Sequence, residues 1–195
     1  MKQIFQRLYR LVRFPQREWR RIAEEKTSIS DLRNTYILPL MEMVIIATLI
    51  SNIIGFTKDA YDTITWEHIL KICSKEIVTC ISAIFIGFHL AVLILNSKLT
   101  SKLFHDRPDY TSCARLATHT LSFYIFIKIL ATLFSLFAFL YVALLYLIYI
   151  IWYGIPYVFP SLEKEKYTKF SLYAAFIICI TPVAMENLMK FIMKN

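Results

Sequence analysis

The sequence predicts an all-α integral membrane protein: a bundle of five transmembrane helices preceded by a basic amphipathic helix in the membrane interface. Three observations lead to this prediction. The chain of 195 residues is 57% hydrophobic and only 18% charged, whereas soluble domains are about a quarter charged. Its apolar residues form four long runs. Its cations concentrate at one end, because nine of the 22 lysines and arginines lie within residues 1–35.

The first element, within the segment 1–35, has the pattern of an amphipathic helix. In residues 1–13, apolar side chains recur at helical spacing on one face and basic side chains take the other. The apolar set is Met1, Ile4, Phe5, Leu8, Leu11 and Val12, and the basic set is Lys2, Arg7, Arg10 and Arg13. Such a helix lies in the membrane interface with its apolar face toward the acyl chains, and its cations contact anionic headgroups. Pro15 ends this helix and can begin the next one.

The second helix places an aromatic residue among further cations, with Trp19 and Ile22 pointing the same way. We expect Trp19 at headgroup level or against the cytoplasmic ends of the spans. The predicted docking surface for anionic lipid, or for a cytoplasmic or membrane protein, consists of Arg7, Arg10, Arg13, Arg17, Trp19, Arg20 and Arg21. A plain topology signal with an interfacial tryptophan explains the same stretch and needs no protein partner.

The second domain, residues 36–195, contains the apolar runs. A membrane-spanning helix needs about 20 apolar residues, and three of the runs have that length. The run over 114–158 would extend about 67 Å as one helix, which no bilayer accommodates. It must therefore hold two spans, joined by a turn that we place near Phe134–Ala138. The predicted spans are residues 36–56, 77–95, 114–135, 138–157 and 170–192.

The distribution of cations predicts the orientation of the chain. With the N-terminus in the cytoplasm, 16 lysines and arginines fall on the cytoplasmic side and six on the other side. The positive-inside rule therefore favours a cytoplasmic N-terminus and, with five spans, an extracytoplasmic C-terminus. The positive charge does not indicate nucleic acid, because no span or loop resembles a nucleic-acid-binding module.

Several motifs in order along the chain are those of a known family. They are the Pro15, Trp19 and Ile22 entry, "ILPL" at 37–40, "YLIYIIWYGIPYVF" at 146–159, "EKEKY" at 163–167 and "ITPVAMENLM" at 180–189. Together they resemble the Yip family (Ypt/Rab-interacting proteins) in its bacterial branch. The resemblance implies a five-helix membrane protein with a cytoplasmic N-terminus. Our leading interpretation is a Yip-like protein of the bacterial inner membrane with a membrane-organising or adaptor role.

Signatures of catalysis are absent from the sequence, which contains no phosphate-binding glycine loop, no HExxH and no GxSxG. We therefore predict a protein that is not an enzyme and needs no cofactor. The four cysteines form no CxxC pair and have no metal-ligand spacing, so we interpret them as small apolar packing residues. They are Cys73, Cys80, Cys113 and Cys179.

Ionisable and polar side chains inside the spans are the remaining functional candidates. Four of them lie at a common depth of about 8–9 Å on the cytoplasmic side: Glu42, His89, His119 and Tyr149. They predict either a polar cluster that serves as a proton or cation site, or four groups that each snorkel or bond locally. Near the outer side, Lys128 and Glu186 lie at matching depth and predict an ion pair.

An intramembrane site would suit a different function, that of a small transporter or channel. Transporters need a polar cavity between spans and are usually built from internal repeats. The sequence shows no repeat, although a homo-oligomer would offer a shared pore. The adaptor role is therefore the leading hypothesis and transport is the alternative.

Overall fold

The computed structural model describes residues 2–25, 27–59, 66–105, 108–134 and 142–194. Every regular element in these ranges is helical, which confirms the predicted all-α fold. The α-helices are α1 (Lys2–Arg13), α2 (Pro15–Glu24), α3 (Ile29–Leu32), α4 (Leu38–Asp59), α5 (Trp66–Leu95), α6 (Lys98–Phe104), α7 (Tyr110–Leu133), α8 (Tyr146–Val158) and α9 (Tyr167–Ile192).

Four helical segments in the described ranges are long and apolar enough to cross a membrane: Ile29–Ile54, Leu70–Leu95, Tyr110–Leu133 and Lys164–Ile192. The protein is therefore a multi-pass membrane protein. A further apolar helix, Val142–Val158, is shorter. The predicted fourth span starts at residue 138 and the predicted turn lies near Phe134–Ala138. Residues 135–141 lie outside the described residues, so the count of five spans stays a prediction.

The first membrane helix begins earlier than its apolar run predicts. The Ser28 hydroxyl caps α3 by accepting a hydrogen bond from the Asp31 backbone N–H at 3.1 Å. The Asp31 carboxylate in turn accepts a hydrogen bond from the Ser28 backbone N–H, so the two residues form a capping box. α3 continues through a π-helical turn, Arg33–Ile37, directly into α4. The predicted start at residue 36 marks where the apolar residues begin, whereas the cap determines where the helix begins.

The short helix α6 was not predicted from the sequence. Ser97 caps its first turn, and His105 ends it in the left-handed conformation with φ 55°. Thr100 is buried and donates a hydrogen bond to the Ile94 carbonyl at 2.7 Å, while Leu99 and Leu103 are exposed. Seven residues are too few for a periodic pattern to be recognised in the sequence. The N-cap by Ser97 determines where this helix begins.

The bundle is organised around α7, which buries the largest share of its residues among the four membrane-length helices. It contacts α1, α3, α4, α5, α8 and α9. α5 and α9 form the most extensive helix pair. Their backbones meet at Gly87, where an added Cβ would lie 2.8 Å from the Pro182 Cα, so only glycine permits this approach.

Candidate functional site

Trp19 docks α2 into the bundle. Its side chain and that of Ile22 are fully buried, and the indole Nε1–H donates a hydrogen bond to the Ile150 carbonyl of α8 at 2.8 Å. The ring lies on Gly154, where an added Cβ would be 2.6 Å from the indole Cε2. Of the two positions expected for Trp19, the structure has the one against the spans. The two N-terminal helices are therefore attached to the membrane domain through an aromatic anchor.

Arg7 does not face outward, so its predicted place in the docking surface is wrong. Only 8% of the residue is exposed. Its Nε lies 3.0 Å from the Glu18 Oε1, and its Nη1 donates a hydrogen bond to the Glu25 Oε2 at 2.7 Å. The bond from Arg7 lowers the pKa of the Glu25 carboxyl. The physical reason is Glu18, a carboxylate with 3% exposure that requires a cation beside it.

The buried face of α1 also differs from the predicted apolar face. Ile4, Leu8 and Leu11 are buried, whereas Phe5 and Val12 from the same predicted set are exposed. Tyr9 and Phe14 are exposed as well, so a second apolar stripe remains on the outer side of the helix. α1 therefore packs against the protein with one stripe and leaves the other largely exposed, with the Phe5 ring also edge-on to Phe126 of α7 at 6.1 Å between ring centroids. The sequence pattern contained both stripes without indicating which one the bundle covers.

The remaining arginines of α1 and α2 lie on the outside of these helices. Arg13 and Arg17 are exposed and stack near the Phe14 ring at 5.5 and 5.9 Å, and exposed Arg20 lies over the Tyr157 ring at 6.0 Å. Arg10 is partly exposed, and its Nε lies 3.6 Å from the Glu18 Oε2. Arg21 is exposed, and its Nε lies 3.4 Å from Glu25. We call the set of Phe5, Tyr9, Val12, Phe14, Arg13, Arg17 and Arg20 the outer basic surface.

The four groups predicted as a polar cluster are not joined in the structure. His119 is buried between the rings of Trp19 and Tyr36, and its Nε2 has no hydrogen-bond partner among the described residues. His89 is half-buried against Phe85 and Phe88. Glu42 and Tyr149 are exposed on the outside of α4 and α8. The four residues lie at a similar depth in the bundle, but no contact joins them within the chain.

The predicted pair of Lys128 and Glu186 is present. Lys128 is 9% exposed, and its ammonium forms an ion pair and hydrogen bond with the Glu186 Oε2, which joins α7 to α9. Lys190 occupies the second carboxylate oxygen at 2.8 Å. Beside the pair lies an open cavity of about 370 Å³, which is lined by Thr48, Ile72, Lys75, Glu76, Thr79, Cys80, Lys128, Thr132, Glu186 and Lys190.

A comparison with protein families indicates what this chain is similar to. The profile described as the Yip1 domain matches residues 9–185, which is most of the chain. The chain belongs to the Yip family. The predicted resemblance is therefore confirmed at the level of the family. In this Yip1 domain the matched region begins inside α1 and ends one residue before Glu186. No curated protein and no solved structure matches the chain.

Three residues of the N-terminal site in this Yip1 domain were missed by sequence reasoning: Glu18, Glu25 and Gly154. The signal for the first two was present, because Glu18, Ile22 and Glu25 recur at i, i+4 and i+7 on the Trp19 side of a strongly basic helix. Acidic residues on the apolar side of a basic helix indicate an internal salt bridge. Gly154 carried no local signal, since only the approach of the indole explains it.

Proposed function

We propose that this Yip family member is a non-enzymatic organiser or adaptor of the bacterial inner membrane, which binds anionic lipid through its N-terminal helices. We further propose a cytoplasmic N-terminus, supported by the excess of lysine and arginine on that side. The outer basic surface would then face the anionic cytoplasmic leaflet. The alternative ligand of this surface is a cytoplasmic or membrane protein with an acidic surface, which would bind the same arginines.

One observation carries the proposal: the anchoring of α2 by Trp19 leaves Arg13, Arg17 and Arg20 exposed while the inner cations are neutralised. Arg7 is buried against Glu18 and Glu25. The outer three have no carboxylate partner in the described part of the chain. Their charge is therefore available to an external anion, and each cation near an anionic surface contributes about 1 kcal/mol.

The apolar part of the surface favours a lipid partner. Phe5, Tyr9, Val12 and Phe14 are exposed beside the arginines, and their combination of apolar rings and guanidinium groups matches the boundary between acyl chains and headgroups. The buried Trp19 fixes the helices to the spans. Lipid binding would thus occur on a surface that is already ordered, rather than through a segment that must first fold.

The experiment compares lipid retention by two triple variants of the full chain, reconstituted with phosphatidylethanolamine and phosphatidylglycerol. In the first variant, glutamine replaces Arg13, Arg17 and Arg20; in the matched control, it replaces Lys164, Lys166 and Lys169. Native mass spectrometry should find at least threefold less bound phosphatidylglycerol in the first variant only, and high salt should reduce retention by the wild type. Equal retention by all three proteins would contradict lipid binding and favour a protein partner.

The cavity between α4, α5, α7 and α9 has charged side chains in its wall, which favours a second candidate function, a small transporter or channel. Its volume of about 370 Å³ lies within the usual range for small-molecule sites, about 300–1,000 Å³. The site would be the Lys128–Glu186 pair rather than the Glu42 and histidine groups, which are not joined. Ion or proton flux into proteoliposomes that is lost in Glu186→Gln would support transport. No flux above that of empty liposomes would exclude the candidate ions tested.

A further inference from the structure

Glu42 lies on an apolar stripe that faces out of the bundle. Leu38, Glu42, Ile46, Ile50 and Ile53 follow one another at intervals of four, four, four and three residues along α4, and all five are exposed. This spacing places them on one face of the helix. In a membrane protein such a face meets lipid or another membrane helix, so the stripe places a carboxylate where acyl chains would otherwise lie.

The carboxylate of Glu42 has no partner within its own chain. Among the described residues it forms no hydrogen bond and no ion pair, whereas Glu186 has both oxygens occupied by lysines. Ionisable residues in membrane spans almost always face the bundle interior and pair with another group. A lipid-facing, unpaired glutamate departs from that rule, and a group outside the chain would remove the conflict.

His89 supplies a complementary group on the neighbouring helix. It lies six residues before the end of α5, and Glu42 lies six residues into the apolar run of the first span, so both are about 9 Å from the cytoplasmic end. The imidazole is half-buried, lies edge-on to the rings of Phe85 and Phe88, and forms no hydrogen bond with a described residue. α4 and α5 pack against each other.

We propose that the outer face of α4 and α5 is an interface between two copies of this chain, in which Glu42 of each copy accepts a hydrogen bond from His89 of the other. A two-fold axis along the membrane normal preserves depth, so it brings these residues level in both directions. Ile46 and Ile50 then pack across the interface. A second copy is the favoured occupant because the chain itself presents the required donor at the required depth. This inference does not depend on the proposed function.

The first test measures self-association of full-length copies labelled with donor and acceptor fluorophores, in lipid vesicles at decreasing protein-to-lipid ratio. Energy transfer by the wild type should persist at ratios where Glu42→Leu and His89→Leu each need at least tenfold more protein. The matched control Glu165→Leu removes an exposed acid outside this face and should behave as the wild type. The exchange variant with both Glu42→His and His89→Glu should recover to within threefold of the wild type.

A second test keeps the proposal falsifiable if a variant folds poorly. The double variant Glu42→Cys with His89→Cys should form a disulfide-linked dimer in oxidised native membranes beyond the background of the natural cysteines, because the proposal brings these two positions together across the interface. Leu172→Cys on the exposed side of α9 should not. A wild type that stays monomeric at every ratio overturns the proposal. So does energy transfer that is unchanged in both single variants, or cross-linking at residue 172 without cross-linking between residues 42 and 89.

Discussion

Gly154 lies directly beneath the indole of Trp19, and the same indole donates its Nε1–H to the carbonyl of Ile150 one turn earlier in α8. The absence of a side chain at Gly154 and the presence of the largest side chain at Trp19 are two halves of one contact. That contact holds the N-terminal helices against the membrane domain, because α2 makes its main packing contact with α8.

We predict that Gly154→Ala releases α2, although alanine favours a helix by about 1 kcal/mol over glycine. The new Cβ would lie 2.6 Å from the indole, so the ring must leave its place. Limited proteolysis between α2 and α3 should become several-fold faster in detergent. Trp19→Phe keeps an aromatic ring but removes the Nε1 donor, and it should cost about 1 kcal/mol of unfolding free energy. Unchanged proteolysis of Gly154→Ala would contradict the contact.

Arg7 is predicted to be worth more to stability than any outward arginine of the same helices. Arg7→Met removes the closest cation beside the Glu18 carboxylate, which is buried, and breaking a buried pair costs about 3–5 kcal/mol. The double variant Arg7→Met with Glu18→Met should lose less than the single variant, because no buried charge is left alone. Thermal unfolding in detergent measures the difference, with Arg17→Met as the control that should change little.

Acid should weaken the attachment of α1 to α2. The hydrogen bond from Arg7 lowers the pKa of Glu25 in the folded protein. The pair therefore stabilises the fold above the unfolded pKa, about 4.3 for glutamate, and this contribution is lost as the pH falls through the lower folded value. Proteolysis near the end of α2 should accelerate below about pH 4. Glu25→Gln should already be faster at pH 7 and less sensitive to acid, whereas Glu24→Gln, an exposed neighbour, should resemble the wild type.

The fold was predictable where physical demands are strong and local. Long apolar runs can satisfy their backbone groups in a membrane only as helices, and Pro15 allows only one place for the break between α1 and α2. The start of α3 and the whole of α6 depended instead on capping by Ser28 and Ser97. Such caps are common in sequences, and they become decisive only when the neighbouring turns are already in place.

The candidate sites divide in the same way. Opposite charges at equal depth in hydrocarbon have one low-energy solution, so Lys128 and Glu186 were predictable as a pair. Glu42, His89 and His119 shared a depth without a shared electrostatic demand, and no contact joins them within the chain. Arg7 was misplaced because its helix offers two apolar stripes, and only the buried Glu18 decides which side faces the bundle.

The position of the C-terminus will decide the number of spans. Four long helices and the shorter Val142–Val158 are present in the described ranges, and we predict that the latter belongs to a fifth span. Reporter fusions at residue 194 and after residues 57–64 should then read as extracytoplasmic, and fusions at 161–167 as cytoplasmic. With a cytoplasmic N-terminus, a cytoplasmic C-terminus would mean an even number of spans. Lys128 and Glu186 would then not both lie near the extracytoplasmic side as we propose.

The ion pair between Lys128 and Glu186 yields a prediction that separates pairing from packing. Lys128→Met leaves Glu186 with Lys190 alone and should destabilise the protein by about 3 kcal/mol, at the lower end of the range for a broken buried pair. Glu186→Leu should have a similar effect, because Lys128 remains buried without its carboxylate. The double variant should be more stable than either single variant, since neither charge is left unpaired. A thermal-unfolding double-mutant cycle measures the coupling, with Lys194→Met as the control, and additive losses would show that the two residues do not stabilise each other.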